Sequence, residues 1–150
     1  HWYSVVVGKL VGELIQSENE EIHSWYWYKK EGDSEGKGWK RFYYIVTNKR
    51  FFEICVDAGS FSYKSYFLKL LNGFREVVVP YESKVNYFEN SAYFSDGSNG
   101  VSSYTVEFSF NVVEGESDRV MFSLSASWKD NHFDSLRNFV RGFHKAVACL

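Results

Sequence analysis

The chain has 150 residues, a formal net charge of -2, 45% hydrophobic residues and one proline. That balance excludes a disordered tail and fits a single domain with a real core. The near-neutral charge gives no global pull toward nucleic acid or an anionic membrane.

Tyr3 to Val7 is β-branched and reads as a short strand. Lys9 to Gln16 is ambiguous, because Leu10, Val11, Leu14 and Ile15 fit one helix face while Gly8 and Gly12 weaken a helix. Ser17 to Glu21 reads as a solvated acidic loop or a helix start. Ser24 to Lys30 is a strand with aromatics on both faces, and Glu31 to Gly38 is a charged, glycine-rich loop. Trp39 to Thr47 is the next strand. Asn48-Lys49 makes a tight turn into Arg50 to Val56. Phe42, Tyr44 and Val46 are expected to share a core face with Phe52, Ile54 and Val56.

After a turn at Asp57 to Ser60, Tyr63 to Leu71 reads as a short helix stopped by Asn72-Gly73. Phe74 to Val79 is a strand ended by Pro80, Val85 to Phe94 a weaker strand, and Ser95 to Ser103 a loop. Two strands with strict alternation follow. Tyr104, Val106, Phe108, Phe110 and Val112 alternate with Thr105, Glu107, Ser109 and Asn111. Val120, Phe122, Leu124, Ala126 and Trp128 alternate with Arg119, Ser123, Ser125 and Ser127. Period two with one polar face predicts an antiparallel sheet wet on one side, with Glu114 to Asp118 as its hairpin loop.

The last stretch, Asp130 to Leu150, carries Phe133, Leu136, Val140, Phe143, Val147 and Leu150 at helical spacing. Asp130 or Asn131 is placed to cap it, and Arg141, His144 and Lys145 suit its C-terminal dipole. One apolar stripe needs one broad apolar surface, so this helix is expected to lie on a β-sheet or open barrel.

From Ser24 the candidate elements are seven antiparallel strands and one terminal amphipathic helix. That order resembles the pleckstrin-homology (PH)-like superfold. Trp39-Lys40-Arg41-Phe42-Tyr43-Tyr44-Ile45-Val46-Thr47 is similar to that family's second strand, and Phe122 to Phe143 resembles its last strand running into its helix. The fold class this implies is α+β, mostly β: a seven-stranded PH-like barrel or sheet capped by the C-terminal helix. Residues 1–150 then form one domain, with 1–23 as an N-terminal extension, 24–130 as the strands and 131–150 as the capping helix.

Charge is uneven along the chain. Residues 29–50 hold Lys29, Lys30, Lys37, Lys40, Arg41, Lys49 and Arg50 against Glu31, Asp33 and Glu35, whereas residues 76–118 hold eight Asp/Glu against one Lys. In phosphoinositide-binding PH domains the first hairpin holds headgroup phosphates with a Lys and, on the next strand, a Lys/Arg-x-Arg pair. The resemblance matches Lys30 to the first and Lys40 to the first member of the pair, whose second member is missing, and with Lys37, Arg41 and Lys49 of the basic run these are the candidate anion- or lipid-binding residues. Lysine and arginine offer phosphate charge-assisted hydrogen bonds. Lys40 and Arg41 are adjacent, so only one of them can face any one site.

The expected role is a non-enzymatic adaptor that docks on a protein partner or an anionic lipid headgroup. The alternative is a helix-grip (START-like) domain with a hydrophobic small molecule in an internal cavity, built from an N-terminal strand, short helices, a curved sheet and a long terminal helix. His1, His23, His132 and His144 show no metal spacing, and no phosphate loop or nucleophile elbow is present, so no cofactor and no catalysis are expected. The acidic majority over residues 76–118 argues against nucleic acid. Cys55 and Cys149 are expected as free thiols. No apolar run approaches the ~20 residues that span a bilayer. The chain starts at His1 and reads as part of a larger protein; its compartment stays open, with the cytoplasm or a membrane surface as candidates.

Overall fold

A computed structural model of the chain describes residues 2–15, 19–31, 39–57, 59–80, 101–113, 118–127 and 132–150. In chain order these form helix α1 (Trp2–Leu14) and strands β1 (Ile22–Glu31), β2 (Trp39–Thr47), β3 (Arg50–Asp57) and β4 (Ser60–Phe67). A 3-10 turn (Leu68–Leu70), strands β5 (Leu71–Pro80), β6 (Val101–Asn111) and β7 (Arg119–Ser127), and helix α2 (Phe133–Ala148) follow. The class is α+β and mostly strands, as expected. The described strands do not close into a barrel. They form two antiparallel sheets, ordered β1-β2-β3-β4 and β5-β6-β7. The chain divides into two compact units: residues 1–69 with 138–150, and residues 70–137.

In the first unit the four-stranded sheet is loaded on both faces. The two-residue turn at Asn48-Lys49 sets Val46 opposite Phe51 and Tyr43 opposite Ile54. Tyr43 and Ile45 therefore share a face with Phe52, Ile54 and Val56, and the expected pairing of Phe42, Tyr44 and Val46 with that set is corrected by one residue of register. Val7 and Val11 of α1 pack on this face, with Leu10, Leu14 and Ile15 beside them. The expected strand at Tyr3–Val7 is thus a helix: three valines weaken it locally, but its apolar stripe finds a sheet face, and packing outweighs propensity. The strand-first order of the helix-grip alternative is lost with it.

The other face carries Tyr26, Tyr44 and Phe51, and the later turns of α2 lie on it. The Phe139 ring meets Tyr26 at 6.2 Å and Phe51 at 6.4 Å, and the Ser24 hydroxyl donates to the Phe139 carbonyl at 3.1 Å. Gly142 allows that approach, because a Cβ there would overlap the Cβ and Oγ of Ser24. The helix stripe is Phe133, Leu136, Phe139, Val140, Phe143 and Ala146. Leu150, expected on the stripe, follows the end of the helix and is exposed. Asp130 and Asn131, named as caps, lie outside the described residues.

A buried ion pair ties the segment after α1 to the start of β3. Arg50 donates to both carboxylate oxygens of Glu20, at 2.9 and 2.8 Å, and to the Leu14 carbonyl at 2.7 Å, which satisfies one of the acceptors a helix leaves open at its C-terminus. The Thr47 hydroxyl donates to Glu20 at 2.8 Å and accepts from the Arg50 amide at 2.8 Å. The Asn48 amide group bonds the segment at Asn19 and Glu21. The acidic stretch read as solvated therefore contains a residue only 6% exposed, Glu20.

The segment read as a helix at Tyr63–Leu71 is β4 and the 3-10 turn. Gly59, at φ 85°, closes a tight turn after β3, and the chain returns antiparallel so that Phe61 pairs with Val56 and Tyr63 with Ile54. Asn72-Gly73 ends no helix. It lies in β5, where the register shifts between Leu71 and Gly73.

The second unit keeps the expected alternation as far as Asn111, whereas Val112, expected on the buried set, lies past the end of β6 and is exposed. Val106 pairs with Leu124 and Phe108 with Phe122, and these four with Tyr104, Phe110 and Ala126 are buried. Phe133 packs edge-on to Tyr104 at 6.3 Å. On the opposite face Ser123, Ser125 and Ser127 are exposed, and the Thr105 and Ser125 hydroxyls bond at 2.7 Å. The strand expected at Val85–Phe94 lies outside the described residues, as do Trp128 and most of the Glu114–Asp118 loop.

Candidate functional site

The β1–β2 register decides which cations meet. Lys30 stands opposite Lys40 and Lys29 opposite Arg41, so two cationic rungs lie on opposite faces just before the last rung of the hairpin, Glu31–Trp39. Lys30 and Lys40 follow Tyr28 and Phe42 on the α2 face. Lys29 and Arg41 follow Trp27 and Tyr43 on the α1 face. Lys29, Lys30 and Lys40 are exposed and Arg41 is half-buried. Lys40 Nζ lies 3.7 Å from Asp57 Oδ2. Both side chains are about half exposed, and such a pair contributes only ~0–1 kcal/mol, so it does not withdraw Lys40 from a second anion.

The other candidates fall elsewhere. Lys37 lies outside the described residues. Lys49 is exposed at the β2–β3 turn, the opposite end of β2, roughly 20 Å or more from Lys40 at ~3.4 Å per strand residue. Arg50, counted in the basic run, is the buried partner of Glu20. The basic run of sequence is thus two separate places in the fold, and only the β1–β2 end is a cluster of exposed cations.

Two side chains near this end have shifted titrations. Burial, then hydrogen bonds with Tyr28 and Glu53, and then the Glu53 charge push the Tyr44 hydroxyl far above the ordinary tyrosine range. It donates to Glu53 at 2.8 Å. Burial raises the Cys55 thiol, Lys40 lowers it in part, and Asp57 and Glu53 raise it again. A raised thiol holds less thiolate at neutral pH, which opposes use as a nucleophile. Cys55 and Cys149 are both free. Among the described residues no group of three or more His, Cys, Asp or Glu is placed to hold a metal ion. No helix of the described residues is long and apolar enough to cross a membrane.

A second feature went unseen in the sequence. A groove of about 510 Å³ runs between α1 and β1, lined by Ser4, Val5, Val7, Gly8, Ile22, Trp25, Trp27 and Ile45. Trp25 is 48% exposed there, and Val5 and Ile22 are also exposed. Tyr43 is fully buried, its ring stacked with Trp25 at 6.3 Å and Trp27 at 6.1 Å. Its hydroxyl has no hydrogen-bond partner among the described residues. The only sequence signal for this groove was the surplus of aromatics on both faces of β1.

Compared with known protein families, characterised proteins and solved structures, the chain matches none.

Proposed function

We propose that this chain is a non-catalytic binding domain of PH-like element order, and that the end of its β1–β2 hairpin docks on an anionic membrane surface. The observation that carries the reading is the register. Two cationic rungs, Lys30–Lys40 on one face and Lys29–Arg41 on the other, lie next to the last rung, Glu31–Trp39, of an edge hairpin, with Lys37 in the connecting segment by sequence. Among the described residues the order of seven strands and a terminal helix supports the PH-like comparison, although the described sheets are not closed into a barrel and β4 is a strand where a helix was expected.

The test is vesicle co-sedimentation. Binding to anionic vesicles should exceed binding to neutral ones and weaken from low to physiological salt, because exposed charges are screened beyond ~8–10 Å. Each cation near an anionic surface contributes about 1 kcal/mol. Replacing Lys30, Lys37 and Lys40 together by Ala should therefore cost about a hundredfold in affinity. Wild-type protein that shows no preference for anionic vesicles at low salt ends the membrane reading.

A further inference from the structure

β4 is an edge of the four-stranded sheet and is poorly protected as one. Among the described residues no strand pairs with it on the side away from β3. It has no proline, no shift of register against β3 and a single charge, Lys64, which stands opposite Glu53. Native edge strands are usually kept from pairing by shortness, bulges, proline or charge. One bond fixes which residues face outward. The Leu68 amide donates to the Lys49 carbonyl at 2.8 Å, which makes Lys49–Leu68 a hydrogen-bonded rung. Such rungs alternate with open ones along an antiparallel pair. Ser60, Ser62, Lys64 and Tyr66 therefore turn their backbone groups to β3, while Phe61, Tyr63, Ser65 and Phe67 turn theirs to the open edge. The same four side chains share the α1 face, opposite Val56, Ile54, Phe52 and Arg50. Tyr63 is 48% exposed and Phe67 46%, so apolar rings flank the open backbone.

We propose that β4 pairs antiparallel with β4 of a second copy of this chain, about a two-fold axis at Ser65, and joins the two four-stranded sheets edge to edge. The strand's own residues select this occupant and this register. With Ser65 opposite its counterpart, Tyr63 of each copy meets Phe67 of the other, so aromatic rings pair on both sides of the axis, and Lys64 meets Tyr66 on the opposite face. Every outward-facing rung from Tyr63 to Phe67 then exchanges both of its backbone bonds. An axis at Lys64 would oppose two like charges, which destabilises a strand pair. An axis at Tyr63 would set Phe61 opposite a serine and Phe67 beyond the end of the other strand, at its Gly59 turn. The aromatic match is written into one sequence, and a second copy carries it by construction. The contact is separate from the docking reading above, which uses the hairpin that includes the other edge strand, β1.

The full chain is followed by sedimentation equilibrium from micromolar to millimolar concentration, where a small interface dissociates. A monomer–dimer equilibrium is expected. Register is read by cross-linking in a Cys55→Ser, Cys149→Ser background, which removes both free thiols. Ser65→Cys should give a disulfide-linked dimer under mild oxidation, because a hydrogen-bonded rung sets its Cα atoms about 5.5 Å apart, within the span of a disulfide. Tyr63→Cys and Lys64→Cys stand off the axis and should cross-link about tenfold more slowly or not at all. Ser65→Lys, at an exposed position, should unfold like wild type and weaken the dimer about tenfold or more, since it opposes like charges across the axis. The proposal is overturned by a chain that stays monomeric to millimolar concentration, by cross-linking at Tyr63→Cys or Lys64→Cys as fast as at Ser65→Cys, or by wild-type dimer affinity in Ser65→Lys.

Discussion

Removing one partner of the Arg50–Glu20 pair should be among the most damaging single changes in the first unit. Arg50 is 5% exposed and Glu20 6%. Arg50→Met keeps much of the length and the apolar stem but deletes both bonds to the carboxylate, the bond to the Leu14 carbonyl, and the cation 4.6 Å over the Phe52 ring. It leaves a buried carboxylate with the Thr47 hydroxyl as its remaining donor of those described above. Breaking a buried pair from one side costs about 3–5 kcal/mol. A domain is stable by only about 5–15 kcal/mol, so the variant should sit near the edge of folding. The double change Glu20→Leu with Arg50→Met removes the stranded charge and should cost less than Arg50→Met alone. What remains is chiefly the open Leu14 carbonyl, at about 1–3 kcal/mol. Urea unfolding of the four proteins closes the cycle, with an unchanged slope required for comparison. A loss below about 1 kcal/mol in Arg50→Met, or a double variant as damaged as the sum of the singles, would refute a buried, coupled pair.

The helix glycines should differ in sign. Gly12→Ala meets open space and should stabilise by about 0.5–1 kcal/mol, while Gly142→Ala overlaps Ser24 and should destabilise by about 1–3 kcal/mol in thermal or urea unfolding. In the second unit Leu124→Ala should cost about 2–5 kcal/mol and Ser123→Ala less than about 0.5 kcal/mol, since one is buried and its neighbour exposed; equal losses would place both faces in a core. The raised Tyr44 hydroxyl contributes stability that is complete below the unfolded tyrosine value of about 10 and is lost as pH rises above it toward the folded value. The advantage of wild type over Tyr44→Phe should therefore narrow between about pH 9 and 11 when unfolding is measured across that range.

The strands at Tyr104–Asn111 and Arg119–Ser127 were legible because one face is buried and one wet, so period two is written into the residues. The terminal helix was legible for the same reason at period 3.6. The first unit hid its plan because its sheet is covered on both faces: Trp25 and Tyr26, or Tyr43 and Tyr44, carry no alternation from which a face can be read. The helix at Trp2–Leu14 and the strand at Ser60–Phe67 each went the other way from their local pattern, one for a sheet face to pack on and one for the turn at Gly59. The site divided for a related reason. Lys49 and Arg50 are close to Lys40 in sequence, but β2 carries them to its far end. The partner that buries Arg50, Glu20, is 30 residues away and leaves no local mark.

The central claim is that one end of the β1–β2 hairpin meets the anionic surface. Amide NMR of the protein bound to anionic vesicles carrying a nitroxide-labelled lipid tests it most directly. Line broadening should concentrate at Lys29, Lys30, Lys40 and Arg41 and spare Asn48 and Lys49 at the other end of β2. Broadening centred on Asn48 and Lys49, or spread evenly along β1 and β2, would contradict it.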